Sequence, residues 1–192
     1  SALPRVSTLA VWTLFVLGLG TLALSIRTGN AWAIEGLVRI DGLTALMWVV
    51  VTFFSGIVHS YSRRYMAGDA RIERFFARVL SFTLVVMTMA AADHVALFAA
   101  AWLAMGLLMA DLIGHERDWT QARAAAGVAR RHFLASSGLL AVGLTILVWT
   151  TGATSISGVL GSLGDVPTTA ALAAGAALFL AAIVQSALFP FQ

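Results

Sequence analysis

The sequence predicts an all-α membrane protein, a bundle crossing the bilayer about six times. Three observations carry this. Hydrophobic residues make up 60% of the 192-residue chain and charged residues only 11%, against about 25% charged in a soluble domain. Mean hydropathy is +0.91. The apolar stretches are continuous and rich in Leu, Ala, Val and Met, whereas a membrane barrel requires short segments of alternating polarity. Lipid is the solvent such a chain can face, and helices satisfy their own backbone groups there.

Charge-poor windows of about 20 residues place the spans at approximately 6–26, 42–62, 76–92, 94–113, 133–150 and 169–189 of a single bundle. The first is charge-free and too long for the apolar core of a signal peptide. The second contains only His59, close to its end. In the third, Phe76 and a snorkelling Arg78 extend a short apolar run. Asp93-His94 makes the turn into the fourth. The fifth ends near Trp149, and the sixth contains Gln185 and breaks at Pro190. Between the last two, Ile156, Val159, Leu160 and Leu163 fall at helical spacing in a Gly-, Ser- and Thr-rich loop, as in a short amphipathic segment lying in the interface. The chain begins at Ser1 and closes on an apolar run around Pro190, and it reads as a fragment of a longer parent.

All 12 basic residues are arginines. Counting segments from the N-terminal tail as zero, the even ones hold Arg5, then Arg63, Arg64, Arg71, Arg74 and Arg78, then Arg117, Arg123, Arg130 and Arg131; the odd ones hold Arg27 and Arg39. The positive-inside rule then puts the arginine-rich segments in the cytoplasm. The net charge of +3 and pI near 10.6 reflect this topology and lipid headgroup contact, not nucleic-acid binding.

With no cysteine there is no disulfide and no thiolate metal site. His59, His94, His115 and His132 are scattered without a second ligand at helical spacing, so no metal and no cofactor is expected in this chain. No soluble-enzyme motif is present. Ionisable groups at membrane depth are the better lead, because they are costly there and mark ion or proton paths. Asp111 reads as an interfacial carboxylate paired with an arginine such as Arg117, or as a proton-relay acid. His59 reads as a packing histidine or a proton shuttle. His132, after Arg130 and Arg131, anchors a helix or gates a cytoplasmic entry. Gln185 is interhelical glue or, beside Pro190, lines a water-filled break. Trp102 and Gly106, mid-span, read as helix-packing residues.

Taken together, Asp41-Gly-Leu-Thr44, His59-Ser-Tyr-Ser62, Tyr65-Met66, Arg74-Phe-Phe76, Ala92-Asp93, Trp102 and Gln185-Ser-Ala-Leu-Phe-Pro-Phe191 resemble the antiporter-like subunits of the complex I and Mrp superfamily, especially subunit L of NADH–quinone oxidoreductase. The resemblance covers roughly residues 39–192 and implies a proton-translocating bundle of which this chain is a piece. Three departures matter. The family has a glutamate after the Trp where this chain has Leu103, an Arg–Asp pair early in the next span where it has Ala135-Ser-Ser-Gly-Leu-Leu140, and a lysine where it has Gln185.

Ala101-Trp-Leu-Ala104, the Arg- and Ala-rich stretch from Arg117 to Arg131, and Ala187-Leu-Phe-Pro-Phe191 are similar to the membrane subunit of the DAB-type inorganic carbon transporter. That resemblance implies an energy-coupling, cation-conducting subunit. Its large cytoplasmic partner would resemble a zinc-dependent carbonic anhydrase, and the zinc would sit in that partner. Two alternatives stay open. One is a subunit of a quinone oxidoreductase or Mrp-type antiporter, beside other respiratory or antiporter complex subunits. The other is a membrane scaffold that conducts nothing.

Overall fold

The computed structural model describes residues 2–116 and 118–186. It contains seven α-helices among them, and six are long and apolar enough to cross a membrane. Only 11% to 28% of each apolar window is buried inside the protein. The remaining Leu, Val, Phe and Ile side chains point outward, which is stable only against lipid or further apolar helices. The chain is therefore a multi-pass membrane protein. It divides into two compact units, Ser1–Ala91 and Ala92–Gln192.

The first unit holds α1 (Leu3–Thr28), β1 (Trp32–Ile34), β2 (Val38–Ile40), α2 (Gly42–Tyr65) and α3 (Ile72–Ala91). The strands form an antiparallel hairpin with Ala33 opposite Arg39. Gly36 turns it with φ of 70°, a left-handed conformation open to glycine at little cost. The sequence pattern predicts no strand in this segment. Its strands have three residues each and show no clear inside–outside alternation, so the two-residue period is too short to detect.

α2 starts on Asp41, whose carboxylate accepts from Thr44 N at 2.9 Å and caps the helix. From there α2 and α3 run antiparallel. Trp48 Nε1 donates to the Met87 carbonyl at 2.8 Å, and farther along Phe76 packs against His59. α1 packs on α2 where a Cβ added at Gly56 would lie 2.9 Å from the Trp12 ring. The Trp12 indole donates to Ser60 Oγ at 3.1 Å.

The cap sets a pH dependence. The Thr44 backbone N–H, with smaller help from its hydroxyl and from Arg39, outweighs burial and holds the Asp41 carboxyl below its usual range. A folded-state pKa that is depressed contributes stability above the unfolded value, lost as pH falls through the folded one. Asp41→Ala is expected to cost about 1 kcal/mol at neutral pH. Wild type should lose stability below about pH 4 more steeply than Asp41→Asn, as thermal melts of the full-length protein in detergent would report.

The second unit holds α4 (Val95–Ile113), α5 (Thr120–Thr151), the short α6 (Ile156–Gly161) with a following 3-10 turn (Leu163–Asp165), and α7 (Thr168–Gln185). α5 is the main correction to the expected spans. It begins at Thr120, well before the apolar run at 133–150, so Arg123, Arg130 and Arg131 lie on a helix and not in a loop. Hydropathy reads membrane depth and not helicity, whereas the Ala- and Arg-rich segment 121–131 has strong helix propensity. At 32 residues α5 is about 48 Å long, more than the roughly 30 Å hydrocarbon core. Gly152 ends it with φ of 70°.

Asp93 does more than make a turn. Its carboxylate accepts from Ser157 N at 2.9 Å and Ser157 Oγ at 2.8 Å, and its carbonyl accepts from Ile156 N. The start of α4 thereby clamps α6, the segment the spacing of Ile156 to Leu163 anticipated. Val159 on α6 is buried with Leu147 of α5 and Ala174 of α7. α7 ends at Gln185; the expected break at Pro190 lies outside the described residues.

Candidate functional site

In the first unit, His59 is wholly buried, at 0% exposure, although it sits on a membrane-spanning helix. Its position one helical turn after Ser55 sets its contacts. Nδ1 lies 2.8 Å from the Ser55 carbonyl and 3.3 Å from Ser55 Oγ. A carbonyl only accepts, so Nδ1 carries a proton. Ser55 Oγ lies 2.6 Å from Thr83 Oγ1 on α3, and Thr83 Oγ1 donates to the Val79 carbonyl at 2.9 Å. Thr83 has spent its one proton, so Ser55 donates to Thr83. The chain is therefore directed from His59 Nδ1 through Ser55 to Thr83.

Nε2 is the other end of this chain. It is buried and has no hydrogen-bond partner among the described residues. In the neutral ring it presents a free lone pair. Phe76, itself fully buried, lies 5.5 Å away at an interplanar angle of 62°. The arrangement can accept a proton at Nε2 and release one from Nδ1. The sequence singles out His59 but not Ser55 or Thr83. A hydroxyl one turn before a mid-span histidine is a visible signal for Ser55; Thr83 is 28 residues away and is supplied only by the packing of α3.

In the second unit, α4, α5 and α7 meet at a neutral junction. Trp102 Nε1 donates to Ser136 Oγ at 3.2 Å, and Ser136 Oγ donates to the Ala181 carbonyl at 2.9 Å. Ser136 has 0% exposure. It lies in the uncharged stretch where the resemblance implies a charge pair. Its neighbour Ser137 instead donates to its own helix at the Phe133 carbonyl. Gly106, one turn from Trp102, lets α5 approach closely: a Cβ there would be 2.8 Å from Phe133 Cβ. Ser136→Ala is expected to cost about 1 kcal/mol, the scale of a hydrogen bond between membrane helices. The indole would then lose its acceptor, and a shift in Trp fluorescence would report it. Gln185 is half-buried at the end of α7, and its Oε1 is buried without a partner among the described residues.

Asp111 pairs with Arg130, Nη2 to Oδ1 at 3.3 Å, across the antiparallel α4 and α5. Its expected partner Arg117 lies outside the described residues. His132 is half-buried on α5 and has an interaction partner. His59 stands in the first unit, and Asp111, His132, Trp102, Gly106 and Gln185 in the second. Among the described residues no three His, Asp or Glu side chains gather to hold a metal ion.

Comparison with known proteins gives this geometry a family. Residues 92–192 match the family described as NADH:quinone oxidoreductase/Mrp antiporter, TM. Residues 26–76 match the N-terminus of NADH-ubiquinone oxidoreductase (complex I) chain 5. The chain is similar to NADH-quinone oxidoreductase subunit L of Rickettsia typhi, 35% identical over 97 residues, 50% of this chain and 14% of the relative. It is similar to F(420)H(2) dehydrogenase subunit L of Methanosarcina mazei, 34% identical over 95 residues, 50% of this chain and 14% of the relative. With subunit L of Mycobacterium tuberculosis it shares 29% identity over 157 residues, 80% of this chain and 24% of the relative. The matched region thus spans less than a quarter of these relatives' length. The chain belongs to the NADH:quinone oxidoreductase/Mrp antiporter transmembrane family.

Proposed function

We propose that this chain is part of a proton-translocating, antiporter-like membrane subunit, and more specifically the energy-coupling subunit of an inorganic carbon transport complex. His59 is the observation that carries proton movement. It is a fully buried titratable ring in a membrane span, with a free lone pair at one nitrogen and hydroxyls at the other. A proton arriving at Nε2 makes an imidazolium. Nδ1 then gives its proton to Ser55 Oγ, and Ser55 gives its own to Thr83. Thr83 rotates away from Val79 to pass its proton on. Each group gains one proton and loses one.

The finer reading rests on Leu103, the uncharged stretch from Ala135 to Leu140, and Gln185, which stand where the resemblance implies a glutamate, a charge pair and a lysine. Leu103 and Gln185 do not change protonation near neutral pH. Downhill cation flow driving CO2 hydration on a large zinc-dependent, carbonic-anhydrase-like partner fits such a bundle better than redox-driven pumping. The subunit would lie in a bacterial inner membrane with its arginine-rich segments cytoplasmic. The names of the relatives favour a second reading, a subunit L-like component among the other subunits of a quinone-reducing or F420H2-oxidising complex.

Growth in air of cells lacking carbonic anhydrase separates the two. The full-length subunit expressed with its large partner is expected to restore growth, and neither alone should do so. No rescue by the pair, with recovery of NADH-linked proton pumping in a strain lacking subunit L, would establish the second reading instead.

A further inference from the structure

An arginine-lined cavity lies between α4 and the polar start of α5. Its volume is about 460 Å³, and it is lined by Asp111, Gly114, Arg123, Ala126, Gly127 and Arg130 among others. Arg123 and Arg130 are seven residues apart, two helical turns or about 10.5 Å along the axis, and so share one face of α5. Gly127 lies between them. A Cβ added there would meet nothing within 4 Å, so the space between the two guanidinium stems is open. The helices close the floor, because a Cβ at Gly114 would lie 2.9 Å from Ala126 Cβ.

The charges are unbalanced toward an anion. Two guanidiniums face one carboxylate in the lining. Arg130 uses Nη2 on Asp111, leaving other N–H groups of its fork unspent. Arg123 makes no ion pair among the described residues. Depth also matters. The apolar part of α5 starts near Phe133, Asp111 is two residues from the end of α4, and Trp119 before α5 is 66% exposed. That is the level of lipid headgroups, where exposed tryptophans collect. Met109, Ile113 and Val128 are exposed apolar side chains on the same two helix segments, suited to acyl chains.

We infer that this cavity holds the phosphate of an anionic lipid headgroup, with Arg123 and Arg130 as its ligands. Planar guanidinium forks match phosphate oxygens bidentately. Basic pockets between membrane helices take such headgroups. The site goes beyond the proposed proton path and does not depend on it.

The test uses the full-length subunit, equilibrated with vesicles of equal parts phosphatidylglycerol and phosphatidylcholine, extracted, and weighed by native mass spectrometry. Wild type should retain phosphatidylglycerol selectively. Arg123→Gln should lower that retention about fivefold. Gly127→Leu leaves every charge in place but fills the slot, and it should lower retention comparably. Arg123→Lys keeps the charge without the fork, and it should lose part of the retention. Equal retention of both lipids by wild type overturns the inference. So does full retention by either Gly127→Leu or Arg123→Lys, which would reduce the effect to diffuse surface charge. Complete displacement by inorganic phosphate would also overturn it, making this a free-anion site.

Discussion

Gly143→Leu is expected to leave almost no folded protein. A Cβ at this position would lie 2.8 Å from Leu178 Cγ and 3.1 Å from the Ala174 carbonyl oxygen. Leu178 can change rotamer, but Ala174 is backbone inside α7, so the two helices must separate. Separation breaks the Ser136 bond to the Ala181 carbonyl and opens the Leu147, Val159 and Ala174 cluster that seats α6. Overpacking a tight contact costs about 1–3 kcal/mol for extra methylenes, and a whole isobutyl group should exceed that. Membrane helices depend on such small-residue contacts, because no hydrophobic force drives them together in lipid. Gly175 is the control: on the same α7, a Cβ meets nothing within 4 Å. Size-exclusion profiles of the full-length protein should show loss of the monodisperse peak for Gly143→Leu and its survival for Gly175→Leu. Equal tolerance of both would mean that α5 and α7 do not pack as described.

His59→Leu separates a packing role from a proton-carrying one. Leucine removes the buried Nε2 lone pair, which has no partner among the described residues, and frees the Ser55 carbonyl and hydroxyl. Both Ser55 groups keep other partners: the carbonyl sits in the α2 backbone ladder, and the hydroxyl retains Thr83. Replacing a partly satisfied polar group by an apolar one of similar size is close to neutral for stability. The variant should therefore fold, with a thermal midpoint near wild type. Proton flux should fall at least tenfold, because leucine neither gains nor loses a proton. A folded variant with unchanged flux would return His59 to a packing role. Ser55→Ala is expected to lower flux comparably, since it removes the hydroxyl to which Nδ1 gives its proton.

Much of this architecture was legible because lipid imposes one coarse rule. A helix crossing it needs about 20 apolar residues; five of the charge-poor windows fall on apolar helices, and the sixth starts with α7 and runs beyond the described residues. What the rule cannot reach is anything set by helicity without apolarity. The polar first turns of α5 escape it for that reason, and the Trp32–Ile40 hairpin escapes it because three-residue strands are too short to show a period. The strings carrying the family resemblance land on structural joints. Asp41-Gly-Leu-Thr44 is a helix cap, Asp93 clamps α6, Phe76 packs on His59, and Trp102 meets Ser136. The site was half legible. A titratable residue within an apolar window announces itself, as His59 and Asp111 do. Thr83 beyond Ser55, Arg130 against Asp111 and Ser136 against Trp102 come from other helices and are fixed by register, which depends on contacts such as Phe133 against Gly106 and Leu178 against Gly143. No local pattern in the chain encodes those pairings.

Proton flux through the full-length subunit, assembled with its partners in liposomes, is the most direct test of the central claim. With a membrane potential imposed and a pH-sensitive dye trapped inside, proton entry should run well above that of protein-free liposomes, be abolished by His59→Leu and be restored by returning the histidine. Flux equal to that of protein-free liposomes, from an assembly shown to be folded, would contradict it and leave the chain a scaffold.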